Sequence, residues 1–129
     1  MKPRMEPNAP SLVMRLDFPD RHRLGRGKIE LLEHIREEGS ISAGGRAMEM
    51  SYRRAWILVD EMNRMFRQPV VTTQRGGSQG GRAVLTPFGE ELVSRFRAME
   101  SECLAALAPD IDWLLAVRRP DTEDTDEDS

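Results

Sequence analysis

Apolar residues recur at helical spacing in two stretches of the chain. In the segment 26–38 they stand three residues apart, and Gly39 follows as a helix-ending residue. In the segment 52–66 they form one stripe at steps of three and four: Ala55, Leu58, Val59, Met62 and Phe66. The spacing predicts an amphipathic helix over each segment.

A shorter helix is predicted between those two, over residues 42–48. Ser42 is a suitable N-cap for it, because a serine side chain can accept a hydrogen bond from a free backbone N–H of the first turn. Glu49 and Met50 are then expected to form a tight turn, and Ser51 to cap the helix that follows.

Two further segments have the pattern of β-strands. Residues 11–18 alternate between apolar and polar positions, which predicts a half-buried strand ended by Pro19 and Asp20. Residues 70–85 hold a β-branched run, a glycine-rich loop and a short apolar return run. This second segment predicts a β-hairpin with a flexible tip.

The last predicted element is a long helix that begins at Pro87, with Thr86 as its N-cap. Pro109 is expected to end it and to leave a short second helix in the remainder of 87–117. Its apolar stripe exceeds what one small domain can cover, which predicts a homodimer. The expected dimer interface consists of Leu92, Phe96, Met99, Cys103 and Leu107.

Charge is distributed unevenly along the 129 residues. The net charge is −3, but the last ten residues hold six acids and no base, so the remainder carries +3. Between Ser40 and Leu85 there are seven arginines and three acids. Arginine is favoured where phosphates or guanine edges are contacted by a planar fork. The local charge therefore favours nucleic acid as a partner, while residues 1–10 and 118–129 are expected to be flexible.

The composition argues against several classes of protein. No apolar run approaches the length of a membrane span, and the N-terminal residues lack the apolar core of a signal peptide. Cys103 is the only cysteine, and His22 and His34 have no cysteine partners that would suggest zinc. The glycine-rich loop lacks the Gly-Lys-Ser/Thr ending of a P-loop. We expect a cytoplasmic protein with no catalytic residues, no metal and no cofactor.

The order of the predicted elements is helix, short helix, tight turn, helix, hairpin and long helix. It predicts a mainly α winged helix-turn-helix domain over 11–86 with a small hairpin wing, followed by a long C-terminal dimerisation helix. In such a domain the start of the third helix contacts base edges in the major groove of duplex DNA; the residues are Ser51, Tyr52, Arg53 and Arg54. Contacts with the DNA backbone are expected from Ser42, Arg46, Arg75, Gly76, Gly77, Ser78, Gln79 and Arg82. For Trp56, a DNA contact and a packing role both stay open.

Several motifs closely resemble the DNA-binding domain of ModE-type molybdate-responsive regulators: GSISA at 39–43, RAM at 46–48, MSYRRAW at 50–56, LVDEMN at 58–63 and LTP at 85–87. The layout is similar, more distantly, to LysR-type regulators. The resemblance implies a sequence-specific transcription regulator linked to molybdenum metabolism or transport. It also implies a DNA-binding domain without the family's C-terminal molybdate-binding modules, so that a separate partner protein would carry the oxyanion sensor.

Three positions depart from the pattern that the resemblance implies. Gly44 and Gly45 stand where alanines are usual, and each glycine costs roughly 0.5–1 kcal/mol of helix stability, so a looser second helix is expected. Glu49 stands where glycine is common, and it would be strained if that position requires a positive φ.

Two other functions remain open. The fold could serve as a protein-interaction adaptor that does not bind DNA, although an adaptor has no need for an arginine-rich helix face. A small oxyanion-binding protein rests only on the family's usual sensor. The acidic tail is either a solvated extension or a mimic of DNA that covers the basic face.

Overall fold

The computed structural model of the chain describes residues 9–76 and 80–119. Its elements are β1 (Arg15–Asp17), β2 (Arg23–Gly25), α1 (Arg26–Glu38), α2 (Ile41–Ala47), α3 (Tyr52–Met65), β3 (Val71–Gly76), β4 (Gly80–Leu85) and α4 (Pro87–Val117). β1 pairs antiparallel with β2, and β3 with β4. The expected wing-tip residues Gly77, Ser78 and Gln79, the acidic tail from residue 120 and residues 1–8 lie outside the described residues.

The predicted fold class, a winged helix-turn-helix with one hairpin, needs correction. The described residues form a mainly helical structure with two small antiparallel sheets, of which the sequence predicted only the second. A long C-terminal helix is present, as expected, but it is one continuous element of 31 residues. We therefore describe the architecture by its own elements: three short helices, a hairpin on each side of them in the sequence, and one long helix.

The first hairpin replaces the single strand that was predicted over 11–18. Only Arg15–Asp17 is strand, and it pairs with Arg23–Gly25, so that Arg15 faces Gly25 and Asp17 faces Arg23. The intervening turn is closed by a hydrogen bond from Phe18 N–H to the His22 carbonyl oxygen (2.8 Å). The position of the turn fixes where the two strands begin to pair. The alternation of apolar and polar side chains does not, so the observed strand is shorter than the predicted one.

The core forms where α1, α3, the second hairpin and the start of α4 meet. Helix α1 contributes the largest buried group, because its four apolar residues Ile29, Leu31, Leu32 and Ile35 are completely inaccessible. Helix α3 adds Ala55, Val59 and Met62, and α4 adds Val93 and Phe96. Asn63 of α3 anchors the second hairpin, since its Oδ1 accepts hydrogen bonds from the backbone N–H groups of Val70 (2.7 Å) and Val71 (3.2 Å).

Hydroxyl side chains cap the three helices that follow α1. Ser51 Oγ accepts from Arg54 N–H and Thr86 Oγ1 from Gly89 N–H, as predicted for α3 and α4. For α2 the predicted cap was wrong: Ser40 Oγ accepts from Ala43 N–H at 3.0 Å, whereas Ser42 lies inside the helix. Ser40 takes the position because its backbone is extended and α2 begins one residue earlier than the pattern suggested.

Gly44 and Gly45 are packing residues rather than weak points of α2. A β-carbon on Gly44 would lie 2.7 Å from Ile35 Cγ1 and 2.9 Å from the Ile35 backbone nitrogen of α1. One on Gly45 would lie 2.6 Å from Ala55 Cβ of α3. We expected a looser helix because the sequence alone does not show this close approach. The two glycines let α2 pack tightly against α1 and α3.

Glu49 has φ = 59°, so it occupies the left-handed region that favours glycine. We expect Glu49→Gly to raise the free energy of unfolding by about 0.5–1 kcal/mol, because the strain outweighs the added entropy of the unfolded chain. Urea denaturation measures the change. Glu49→Ala is the matched control: it removes the same charge but keeps the β-carbon, so it should gain nothing. Equal gains for both variants would assign the effect to charge instead.

A cluster of charged side chains fixes α4 against α1. Arg97 donates from Nε and Nη2 to both carboxylate oxygens of Glu33 (3.0 and 2.8 Å) and from Nη1 to Glu100 Oε1 (2.7 Å). The hydrogen bonds with Glu33, above all, raise the pKa of Arg97. Arg26 Nε lies 3.5 Å from Glu100 Oε2 on the same side. This planar, forked contact sets the direction in which the rest of α4 leaves the core.

Candidate nucleic-acid interface

A cleft of about 590 Å³ lies between the starts of α2 and α3 and the second hairpin. Its lining combines hydroxyl, amide, guanidinium and aromatic groups: Ser40, Ile41, Ser42, Arg46, Tyr52, Trp56, Thr73, Gln74, Gly81, Arg82 and Ala83. The hairpin reaches this position because Ala83 N–H donates to the Gly39 carbonyl oxygen at 2.9 Å, which joins β4 to the end of α1. The cleft is therefore built by two consecutive helices and a hairpin that follows them in the sequence.

Four of the predicted DNA contacts meet in this cleft. Ser42, Arg46, Tyr52 and Arg82 all line it, and Arg46 Nη1 donates to Ser42 Oγ at 3.3 Å. Tyr52 is 58% exposed, and Arg53 and Arg54, which follow it in α3, are exposed as well. The arrangement offers two guanidinium groups and a phenol hydroxyl along one wall, which is the chemistry that contacts phosphate and sugar oxygens of a nucleic acid.

The remaining predicted base contacts lie beside the cleft rather than in it. Ser51 uses its hydroxyl oxygen as the cap of α3, so that its O–H stays available to donate. Arg53 and Arg54 are exposed, and within residues 9–76 and 80–119 no ion pair engages either of them. At about 100° per residue they point to different sides of α3, with Arg53 nearly opposite the buried stripe. Arg53 is thus the better placed of the two to reach a surface laid against the helix.

Two predicted backbone contacts can be placed only by their main chain. Arg75 and Gly76 belong to β3, where Arg75 pairs with Gly81 and Gly76 with Gly80. Both stand at the far end of the hairpin from the core, next to the undescribed tip. Their roles remain predictions.

The sequence analysis did not name six residues of the cleft lining: Ser40, Ile41, Thr73, Gln74, Gly81 and Ala83. The place of the hairpin residues depends on strand register, since Gln74 pairs with Arg82, Thr73 with Ala83 and Arg75 with Gly81. The hairpin composition alone did not fix that register. Only the polar character of Thr73 and Gln74, next to a predicted wing, was a usable signal.

The expected dimer interface is divided by the structure. Phe96 is only 2% exposed and Leu92 packs against the same core, so these two residues serve their own protomer. Met99, Cys103 and Leu107 are exposed. From Ser101 to Arg119 every residue except Ile111 is exposed, which leaves the second half of α4 without cover from this chain.

The described part of the chain shows neither a metal-binding cluster nor a membrane-spanning helix. No group of three or more His, Cys, Asp or Glu side chains there could hold a metal ion. Among the described helices, none combines the length and the apolar character that crossing a membrane requires.

No family model matches the chain. It is similar to the molybdenum-pterin-binding protein MopB of Rhodobacter capsulatus, with 46% identity over 79 residues, which is 61% of this chain and 29% of the relative. It shares 39% identity over 94 residues with the molybdenum transport protein ModE of Azotobacter vinelandii, 73% of this chain and 35% of the relative. The DNA-binding transcriptional dual regulator ModE of Escherichia coli K12 is 41% identical over 69 residues, which is 54% of this chain and 26% of the relative. The chain thus matches about a third of each relative's length.

These relatives correct the resemblance as the sequence analysis stated it. The motifs were taken to resemble the DNA-binding domain of ModE-type regulators without their C-terminal molybdate-binding modules. That separation is wrong, because the relatives include MopB and the similar MopA, both named for binding molybdenum-pterin. Their names give no support to a winged-helix assignment either. What the comparisons do show is similarity to molybdenum-related proteins, among them transcription regulators.

Proposed function

We propose that this chain is a DNA-binding transcription regulator of a molybdenum-linked system and that it acts as a homodimer. The observation that carries the proposal is the cleft, where Ser42, Arg46 and Arg82 converge next to the exposed start of α3. The names of the relatives support the molybdenum setting, and one of them is a DNA-binding regulator. On this proposal α3 meets the major groove, and the polar side chains Ser42, Arg46 and Arg82 at the edge of the cleft contact the neighbouring sugar-phosphate strand.

The distribution of ion pairs favours an anionic partner for this face. Several arginines elsewhere on the surface are engaged in ion pairs, among them Arg15 with Asp17, Arg36 with Glu90 and Arg95 with Glu91. In the described residues around the cleft, by contrast, Arg46, Arg53 and Arg82 face no carboxylate. Unpaired guanidinium groups repel one another, so their grouping is explained best by a polyanion that binds them together.

The homodimer rests on the second half of α4. Cys103, Leu107, Ile111 and Leu114 follow at steps of four, four and three, so they form one stripe along the exposed helix. A lone helix that is apolar and unsupported over about four turns is marginal in water. A second copy that lays the same stripe against it would cover both, and the resulting two-fold symmetry would suit a palindromic DNA site.

Fluorescence anisotropy tests the proposal directly. The probe is a duplex selected by the protein from a randomised library, compared with its scrambled version at two salt concentrations. We expect selective binding whose logarithm falls with the logarithm of salt by about 0.9 per phosphate contacted. A parallel titration with molybdate shows whether this chain responds to the oxyanion. Absence of binding to both duplexes at low salt would overturn the proposal and favour a protein-interaction adaptor.

Arg53→Ala is expected to lower affinity for the selected duplex by about 1–3 kcal/mol and to reduce the preference over the scrambled duplex, because a base contact is lost. Arg46→Ala is the matched control. As a phosphate contact from the cleft wall, Arg46 should weaken binding to both duplexes equally and reduce the salt slope by about one. Equal weakening on both duplexes by Arg53→Ala would reassign Arg53 to the backbone.

A further inference from the structure

An exposed aromatic pair stands within the charged cleft. Tyr52 and Trp56 are one turn apart on α3, with ring centroids 6.2 Å apart and an interplanar angle of 76°. Tyr52 is 58% exposed and Trp56 37%. Neither belongs to the buried stripe of α3, which consists of Ala55, Val59 and Met62. The packing role that the sequence left open for Trp56 therefore accounts for only part of its surface.

The edge-to-face contact with Tyr52 limits how the indole can turn. Such edge-to-face pairs are stabilised beyond the area that they bury, which favours one ring orientation over free rotation. The open side of the indole then forms apolar surface among hydrogen-bonding groups, with Arg46 and Gln74 on the same lining. A rigid apolar surface of this kind is suited to a small apolar group that a polar ligand presents.

Duplex DNA presents one such group in the major groove, the C5-methyl of thymine. We propose that Trp56, held by Tyr52, contacts a thymine methyl and thereby selects thymine at one position of each half-site. This inference rests on the proposed function, since it assumes that α3 meets the major groove. It adds a specificity element that hydrogen-bonding side chains cannot supply, because a methyl group has neither donor nor acceptor.

The experiment replaces each thymine of the library-selected duplex, one at a time, by deoxyuridine. This change removes the methyl group and leaves base pairing intact. For the unaltered protein we expect about a fourfold loss of affinity at one position of each half-site, the effect of withdrawing one methyl-sized group from burial. For Trp56→Ala we expect weaker binding that no longer distinguishes the thymine from the deoxyuridine duplex at that position.

Trp113→Ala provides the matched control, because Trp113 is also an exposed tryptophan, at 62%, but lies on α4. It should keep the fourfold thymine preference. Thermal unfolding checks that both variants are folded. Selective DNA binding without any deoxyuridine effect, or with an effect that persists in Trp56→Ala, would overturn the inference while leaving the proposed function intact. Failure to bind any duplex would overturn both.

Discussion

Gly89→Ala should lower the free energy of unfolding by about 3 kcal/mol, a large part of the stability of a domain of this size. A β-carbon at this position would lie 2.2 Å from the Val70 carbonyl oxygen and 3.1 Å from the Val70 carbonyl carbon. The carbonyl cannot move away cheaply, because it accepts a hydrogen bond from Thr86 N–H at 3.0 Å. Asn63 holds the same residue from the other side through the Val70 N–H.

Thermal and urea denaturation measure this effect, with an expected fall in Tm of roughly 10 °C. Gly27→Ala is the matched control, since a β-carbon on Gly27 of α1 meets nothing within 4 Å. That variant should be neutral or more stable by up to about 1 kcal/mol, because alanine is the better helix former. If both variants changed the free energy of unfolding by the same amount, the close approach of α4 to Val70 would contribute nothing to stability.

The glycines show what hydrophobic patterns in a sequence cannot predict. Hydrophobic periodicity is local, and α1 and α3 lie where the periodicity places helices. Whether a glycine weakens a helix or permits close packing depends on which backbone approaches it. For Gly44 and Gly89 that backbone belongs to Ile35 and Val70, which the sequence separates from them by nine and 19 positions. The sequence predicts the helix but not its neighbour.

Pro109 illustrates the same limit for α4. The sequence predicted a helix end there, because proline lacks an N–H and crowds the carbonyl one turn earlier. In the structure Pro109 lies inside α4, which continues to Val117. The surrounding turns are exposed, so water can satisfy the carbonyl that proline leaves unpaired. The predicted short second helix is therefore the last part of α4.

For the candidate site, the residue types were predictable and the cleft was not. The arginine excess and the capped start of α3 are properties of short segments, which is why Arg46, Tyr52 and Arg82 could be named from the sequence. Their convergence depends on the hydrogen bond from Ala83 to Gly39 and on the register of the second hairpin. Such contacts between distant segments leave no periodic trace in one sequence.

A double variant of α4, Leu107→Glu with Leu114→Glu, should convert the proposed homodimer into a monomer. The two leucines are 39% and 55% exposed and lie on the stripe that we propose to join two copies. Opposed carboxylates would repel each other and lose the burial of apolar surface. Since simultaneous contact with two half-sites raises affinity by about 10²–10⁴, DNA binding should weaken at least 100-fold. Sedimentation velocity measures the mass, and anisotropy the binding.

The control is Leu16→Glu on β1, where a leucine with 48% exposure lies outside α4. It introduces one carboxylate of the same kind on the surface and should leave both mass and affinity unchanged. Cys103 supplies a second readout, because it stands on the stripe between the core and Leu107. A dimer that covers this stripe should slow the reaction of Cys103 with a thiol reagent, and the double variant should restore it. If the unaltered protein is a monomer and its Cys103 reacts fast, the dimer is refuted. A single copy of α3 and its cleft would then have to account for all of the affinity for DNA.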